Sequence, residues 1–86
     1  MKKHKIKVVE AKLGREGPYG LYGKVEDDKP NTAVIDPRQS PKKELNTILH
    51  ESLHIIWPDE SERCIDMTAT QLRNVLWEVG YRKVKQ

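Results

Sequence analysis

The sequence predicts an α+β domain in which a small, mostly antiparallel three-stranded sheet is followed by two helices, in the order βββαα. Two observations support this class. Residues typical of strands are confined to positions 1–39, and apolar residues at helical spacing begin after position 40. The chain has 86 residues, no repeat and no linker, so we predict a single domain over residues 1–86.

Three segments of the sheet region have the composition of strands. Residues 5–13 are rich in isoleucine and valine, residues 21–27 alternate in polarity, and residues 32–36 read TAVID. The glycine-rich segment 14–20 and the segment 28–31, DKPN, separate them and predict turns. Short turns between consecutive strands favour a sheet built from hairpins.

The first helix is predicted over residues 40–57. Ser40 precedes Pro41, a pairing typical of a helix N-cap followed by the first helical position, and Pro58 ends the helical pattern. Apolar residues at helical spacing fill the segment between them: Leu45, Ile48, Leu49, Leu53 and Ile56.

The second helix is predicted over residues 59–80. Either Asp59 or Ser61 can cap its N-terminus, and Gly80 lies where a glycine commonly ends a helix. Its apolar stripe comprises Ile65, Ala69, Leu72, either Val75 or Leu76, and Val79.

The first helix carries the motif H-E-x-x-H, formed by His50, Glu51 and His54. A separation of four residues advances about 400° around a helix, so both imidazoles leave from one face, one turn apart. Two neutral imidazole nitrogens so arranged can bind one Zn²⁺. Glu51 points about 100° away from His50, which suits a general base that contacts a zinc-bound water. The alternative is an amphipathic helix with two surface histidines.

Two histidines leave a tetrahedral zinc short of one protein ligand. The motif extension with glycine at position 57 and histidine at position 60 is absent, because Trp57 and Glu60 stand there. The remaining candidates are downstream carboxylates: Asp59, Glu60, Glu62 and Asp66. Glu62 and Asp66 are four residues apart and share a helix face, so one could bind zinc while the other accepts a hydrogen bond from a ligating histidine.

HESLH followed by Glu62 and Asp66 resembles the gluzincin branch of the zinc metallopeptidases. The resemblance covers residues 40–80 and implies a minimal zincin-like fold, with Glu62 as the third zinc ligand and Asp66 supporting a histidine ligand. The segment Pro58-Asp59-x-x-Glu62 is also similar to short HExxH proteins encoded by phages and prophages. Zincins place an edge strand above the motif helix, where it pairs with an extended substrate, and the resemblance makes TAVID that strand.

The motif predicts a zinc-dependent hydrolase, most simply a peptidase that acts on a peptide or protein substrate. Zinc would activate a water, and Glu51 would take its proton and pass it to the leaving amine. The alternative function is a zinc-binding module without chemistry, in which the metal has a structural or regulatory role and Glu51 is dispensable.

Composition bounds the other function classes. The net charge of +3 lies largely at the two chain ends, a pattern more typical of solvated termini than of a nucleic-acid-binding protein. No apolar run approaches the ~20 residues of a membrane span, and the N-terminus lacks the apolar region of a signal peptide. The single cysteine has no partner for an internal disulfide, which favours the reducing cytoplasm.

Overall fold

The computed structural model describes residues 5–13 and 22–83 and confirms the predicted fold class. The turn predicted over 14–20 and the charged chain ends at 1–4 and 84–86 lie outside the described residues. The elements are β1 (Lys7–Glu10), β2 (Gly23–Val25), β3 (Thr32–Ile35), α1 (Pro41–Ile56) and α2 (Glu62–Glu78). Neither of these two helices is long and apolar enough to cross a membrane.

The sheet is mixed, with strand order β1-β3-β2. β1 is parallel to β3, with Lys7 opposite Thr32, and β2 is antiparallel to β3, with Gly23 opposite Ile35. The first two strands therefore occupy opposite edges and do not form the expected hairpin. The assignment of TAVID as the edge strand is wrong, because β3 is central. β3 has four buried, uncharged residues, whereas β1 and β2 carry lysine or glutamate, which suits exposed edges.

Helix α1 packs between the sheet and α2. The sheet-side core is formed by buried Ala33, Ile35 and Ile55, flanked by half-buried Val25 and Ile48. On the other side of α1, a second core contains the buried side chains Leu53, Ile65 and Ala69, with Leu49 packed against them. The domain therefore has three layers, and α1 contributes to both cores.

The helix boundaries follow the predicted signals closely. Ser40 is the N-cap of α1, although its side chain makes no capping hydrogen bond, and Pro41 is the first helical residue. α2 begins later than predicted because Ser61, not Asp59, is its N-cap, and the Ser61 hydroxyl accepts a hydrogen bond from the Cys64 N–H at 3.1 Å. Gly80 follows the helix with φ +93°, a conformation that favours glycine.

Asp36 ties the end of β3 to the segments around it. Its carboxylate accepts hydrogen bonds from the Leu13 N–H at 2.9 Å and from the Arg38 guanidinium at 2.6–3.2 Å. The side-chain hydrogen bond from Arg38, followed by the backbone hydrogen bond from Leu13, holds the pKa of Asp36 well below its usual range. Asp36 is therefore a buried carboxylate that is ionised at neutral pH and fully paired.

Gln39 connects this corner to helix α1. Its side-chain amide donates to the Asp36 carbonyl at 2.7 Å and to the Tyr22 carbonyl at 3.2 Å, just before β2 begins. Its amide oxygen accepts from the Thr47 hydroxyl at 2.7 Å. One buried side chain thus fixes the position of β2 relative to α1.

Gly23 marks the closest approach of β2 to α1. A β-carbon at this position would lie 2.5 Å from Thr47 Cγ2, 3.2 Å from Glu51 Cγ and 3.3 Å from Ile35 Cδ1. Rotating the Thr47 side chain to move its methyl away would break the contacts of its hydroxyl with Gln39 and with the Lys43 carbonyl. Glycine is therefore required here to let the strand lie directly on the helix.

Asp36→Asn is expected to lower the melting temperature at pH 7 and to lower it less as the pH falls. A depressed folded-state pKa contributes stability above the unfolded-state value of about 3.9, and this contribution is lost as the pH drops through that value toward the folded-state pKa. Melting followed by circular dichroism between pH 7 and 3 measures the difference. Asp28→Asn, an exposed site, serves as the control. A difference that stays constant down to pH 3 would contradict the role given to Asp36.

Gly23→Ala is expected to destabilise the fold by about 1–3 kcal/mol, since the added methyl overlaps Thr47 Cγ2. Thr47→Ser deletes that methyl and keeps the hydroxyl, so the double variant should recover most of the loss. Urea unfolding of both single variants and the double variant measures the coupling. Strictly additive effects would show that the close approach is not the cause.

Candidate metal centre

His50 and His54 occupy a strip of α1 that is left open between the sheet and α2. Ile55 packs into the core beneath the sheet, and Leu53 packs into the core shared with α2. The two histidines lie outside both cores and are half-buried at the surface. Their rings lie edge to face, with centroids 4.7 Å apart, and the two Nε2 atoms are 3.0 Å apart. The helical spacing therefore directs both nitrogens to one point, as the motif predicts.

Glu62, the first residue of α2, joins the two histidines. Its carboxylate oxygens lie 2.8 Å from His50 Nε2 and 3.1 Å from His54 Nε2. The short turn after Trp57 makes this possible: the Trp57 carbonyl accepts a hydrogen bond from the Glu60 N–H, and the chain enters α2 immediately after Ser61. Seven residues between His54 and Glu62 are thus sufficient to fold α2 back onto α1.

Asp66 lies one turn further along α2 and contacts the other nitrogen of His50. The distance from Asp66 Oδ1 to His50 Nδ1 is 2.9 Å. A carboxylate only accepts, so Nδ1 donates its hydrogen to Asp66, and in a neutral ring Nε2 would then present its lone pair to the Glu62 carboxylate. Two acceptor atoms facing each other at 2.8 Å repel unless a proton or a cation lies between them.

The spacing of the donor atoms suits a metal ion. In the described part of the chain, one group of potential ligands has mutually close donor atoms, all within 4.8 Å: His50, His54 and Glu62. Ligands held 2.0–2.1 Å from a tetrahedral zinc lie about 3.3 Å apart, close to the separations of 2.8–3.1 Å found here. Asp59 and Glu60, the other candidate ligands, are outside this group, and Glu60 Oε1 instead accepts from the Ser61 N–H.

Glu51 flanks the cluster on the side of the sheet. Its Oε1 lies 3.8 Å from His50 Nε2, and its side chain is only 12% exposed, because β2 covers it at Gly23. Burial raises the pKa of Glu51 above its ordinary value, and the charges of the two histidines oppose this shift. A carboxyl group with a raised pKa beside a potential metal site is suited to accept and return a proton.

The residues that position β2 beside Glu51 were not identified from the sequence. Gly23, Gln39 and Thr47 act through contacts between segments far apart in the chain. Only Gly23 leaves a local signal, since a glycine inside a strand pattern often marks a close backbone approach.

The chain was also compared with known proteins. No family model, no curated protein and no solved structure matches it. The chemistry open to the site therefore follows from the geometry of its own side chains: His50, His54, Glu62, Asp66 and Glu51.

Proposed function

We propose that this protein is a zinc-dependent hydrolase that cleaves peptide bonds, with His50, His54 and Glu62 as zinc ligands. The observation that carries the proposal is the convergence of two imidazole nitrogens and one carboxylate on a single point, with Asp66 on the back of one imidazole. A simple ion pair needs only one histidine and one carboxylate. A metal site uses all four groups, three as ligands and Asp66 to orient one of the imidazoles.

The ligand set would leave a fourth position open for chemistry. Zinc bound by two histidines and a glutamate supplies a Lewis acid that polarises a carbonyl and lowers the pKa of water. The Asp66 carboxylate, 2.9 Å from His50 Nδ1, would hold His50 in the tautomer that presents Nε2 to the metal. Glu51 is close enough to the donors to accept a proton from the attacking water and to return it to the leaving amine.

An extended peptide is the substrate class that the surrounding fold favours. β2 is an edge strand, and it crosses α1 beside Glu51. A peptide added along this edge would form backbone hydrogen bonds and run past the motif helix. This edge strand takes the place that the resemblance gave to TAVID.

We also propose that the protein works in the cytoplasm. The single cysteine, Cys64, supports this assignment because it has no partner in the chain for a structural disulfide.

The protein purified without a histidine tag is expected to bind one zinc per chain, measured by native mass spectrometry. His50→Ala and Glu62→Ala should lose or strongly weaken the metal, because each removes a donor atom. Glu51→Gln should keep it, and Asp66→Asn should weaken affinity by about 10–100-fold by freeing the orientation of His50.

Glu60→Ala is the matched control for Glu62→Ala, since it removes an exposed glutamate two positions away. It should bind zinc as the unaltered protein does. Equal losses in the two variants, or no binding in any sample with zinc added at neutral pH, would contradict the proposed ligand set.

Hydrolysis of a fluorogenic peptide library by the zinc-loaded protein is expected to fall by about 10²–10⁴-fold in Glu51→Gln, the usual contribution of a general base. Zinc content measured on the same samples separates loss of chemistry from loss of metal. Glu78→Gln, an exposed site on α2, is the control for the charge change.

An equally active Glu51→Gln variant would rule out this role of Glu51. One zinc bound without turnover on any peptide of the library would instead favour the metal-binding module that does no chemistry.

A further inference from the structure

Arg73 lies on the same face of α2 as the proposed site residues. It follows Asp66 by seven residues, or two helical turns, and its Nη1 donates to Asn46 Oδ1 on α1 at 3.3 Å. Asn46 in turn precedes His50 by four residues on α1. The Arg73–Asn46 contact therefore spans the same pair of helices as the Asp66–His50 contact, about 6 Å along α1 toward its N-terminus.

The guanidinium is oriented entirely by neutral oxygens. Nε and Nη2 of Arg73 donate to Asn74 Oδ1 at 3.2 and 2.9 Å, and Nη1 donates to Asn46. No carboxylate in residues 5–13 or 22–83 pairs with this side chain, and two of its five N–H groups, one on each terminal nitrogen, have no protein partner there. Arg73 is thus a positioned cation whose charge is not neutralised locally.

The surface along α1 is polarised by this arrangement. Glu51, Glu62 and Asp66 lie around the histidines, whereas Arg73 and Lys43 lie toward the start of α1. Lys43 precedes His50 by seven residues and places its ammonium group 4.8 Å from the centre of the Tyr22 ring, just before β2. Glu44 also lies in the first turn of α1, but it is buried and paired with Lys83 at 3.3 Å, so the exposed charges at this end of α1 are positive.

We propose that Arg73, held by Asn46, binds a carboxylate of the substrate on the N-terminal side of the α1 histidines. Two free N–H groups on a planar guanidinium match a carboxylate bidentately, which a lysine cannot do. The ligand is a peptide with a carboxylate a residue or two from the bond at the metal site, either its C-terminus or an aspartate or glutamate side chain. The assignment as a substrate subsite rests on the proposed function.

The test measures binding to the complete chain, both metal-free and with one equivalent of zinc. Three probes distinguish the sources of the carboxylate: N-acetyl-trialanine, its C-terminal amide, and N-acetyl-alanyl-aspartyl-alaninamide. Binding is followed by NMR through the Arg73 guanidinium Nε–H signal and backbone amides. At least one carboxylate probe should shift the Arg73 signal, and Arg73→Gln should weaken its affinity about tenfold or more. The amide probe should leave the Arg73 signal unchanged.

Arg63→Gln is the matched control, because Arg63 is exposed on the same helix and its removal changes the net charge equally. Arg73→Lys keeps the positive charge but lacks the planar guanidinium, so its affinity should lie between those of Arg73→Gln and the unaltered protein. Asn46→Asp tests the site without removing the arginine: it places a carboxylate beside Arg73 that competes with the probe, and it should weaken binding as Arg73→Gln does.

The outcomes separate this inference from the proposed function. Arg73-dependent binding to the metal-free chain supports the carboxylate site even if zinc never binds, and the probe that binds identifies a C-terminal or a side-chain carboxylate. Zinc binding and hydrolysis without any Arg73-dependent binding overturn the subsite and leave the hydrolase standing. Equal weakening by Arg63→Gln, or no binding of either carboxylate probe at about 10 mM, also overturns it.

Discussion

Helix α1 has to serve two cores at once, and the candidate site depends on this constraint. Its residues pack into the sheet through Ile55 and into α2 through Leu53, so a narrow strip of the helix remains outside both cores. His50 and His54 lie on that strip, with β2 on one side and the N-terminus of α2 on the other. In a domain with one helix layer the same motif would face open solvent. Here the second helix supplies a carboxylate and the sheet covers Glu51, and each neighbour completes a different part of the arrangement.

The features that could be predicted from the sequence are those that depend on neighbouring residues. The helix ends follow from Ser40, Ser61 and the prolines, and the convergence of His50 and His54 follows from helical spacing. The contacts of Glu62 and Asp66 with His50 also depend on local structure, since one short turn separates the two helices. Their geometry is observed, whereas the binding of zinc remains a proposal.

The features that could not be predicted join segments far apart in the chain. β1 pairs in parallel with β3 because β3, the most buried strand, takes the centre of the sheet. The turn residues between the strands do not indicate which strand will be central. Gln39 resembles any polar residue before a helix, yet it connects β2 to α1 through Tyr22 and Thr47. The Arg73–Asn46 contact crosses 27 positions and belongs to no motif. Residues that hold a site in position thus leave weaker signals in a sequence than residues that carry its chemistry.

The placement of the donor atoms also bears on the order in which the chain folds. All of them lie between positions 50 and 66, in two helices joined by one short turn, so bringing them together closes only small loops. The parallel ladder instead pairs Lys7 with Thr32, and its loop has to close before any strand contact compensates for the lost chain entropy. Loop-closure entropy therefore favours the helical hairpin and the β2–β3 hairpin as early structures and the addition of β1 as the later step. The donor set and the β2 edge beside it both depend on contacts between nearby residues, since β2 pairs with β3 across 8–12 positions, whereas β1 on the far edge depends on a longer loop.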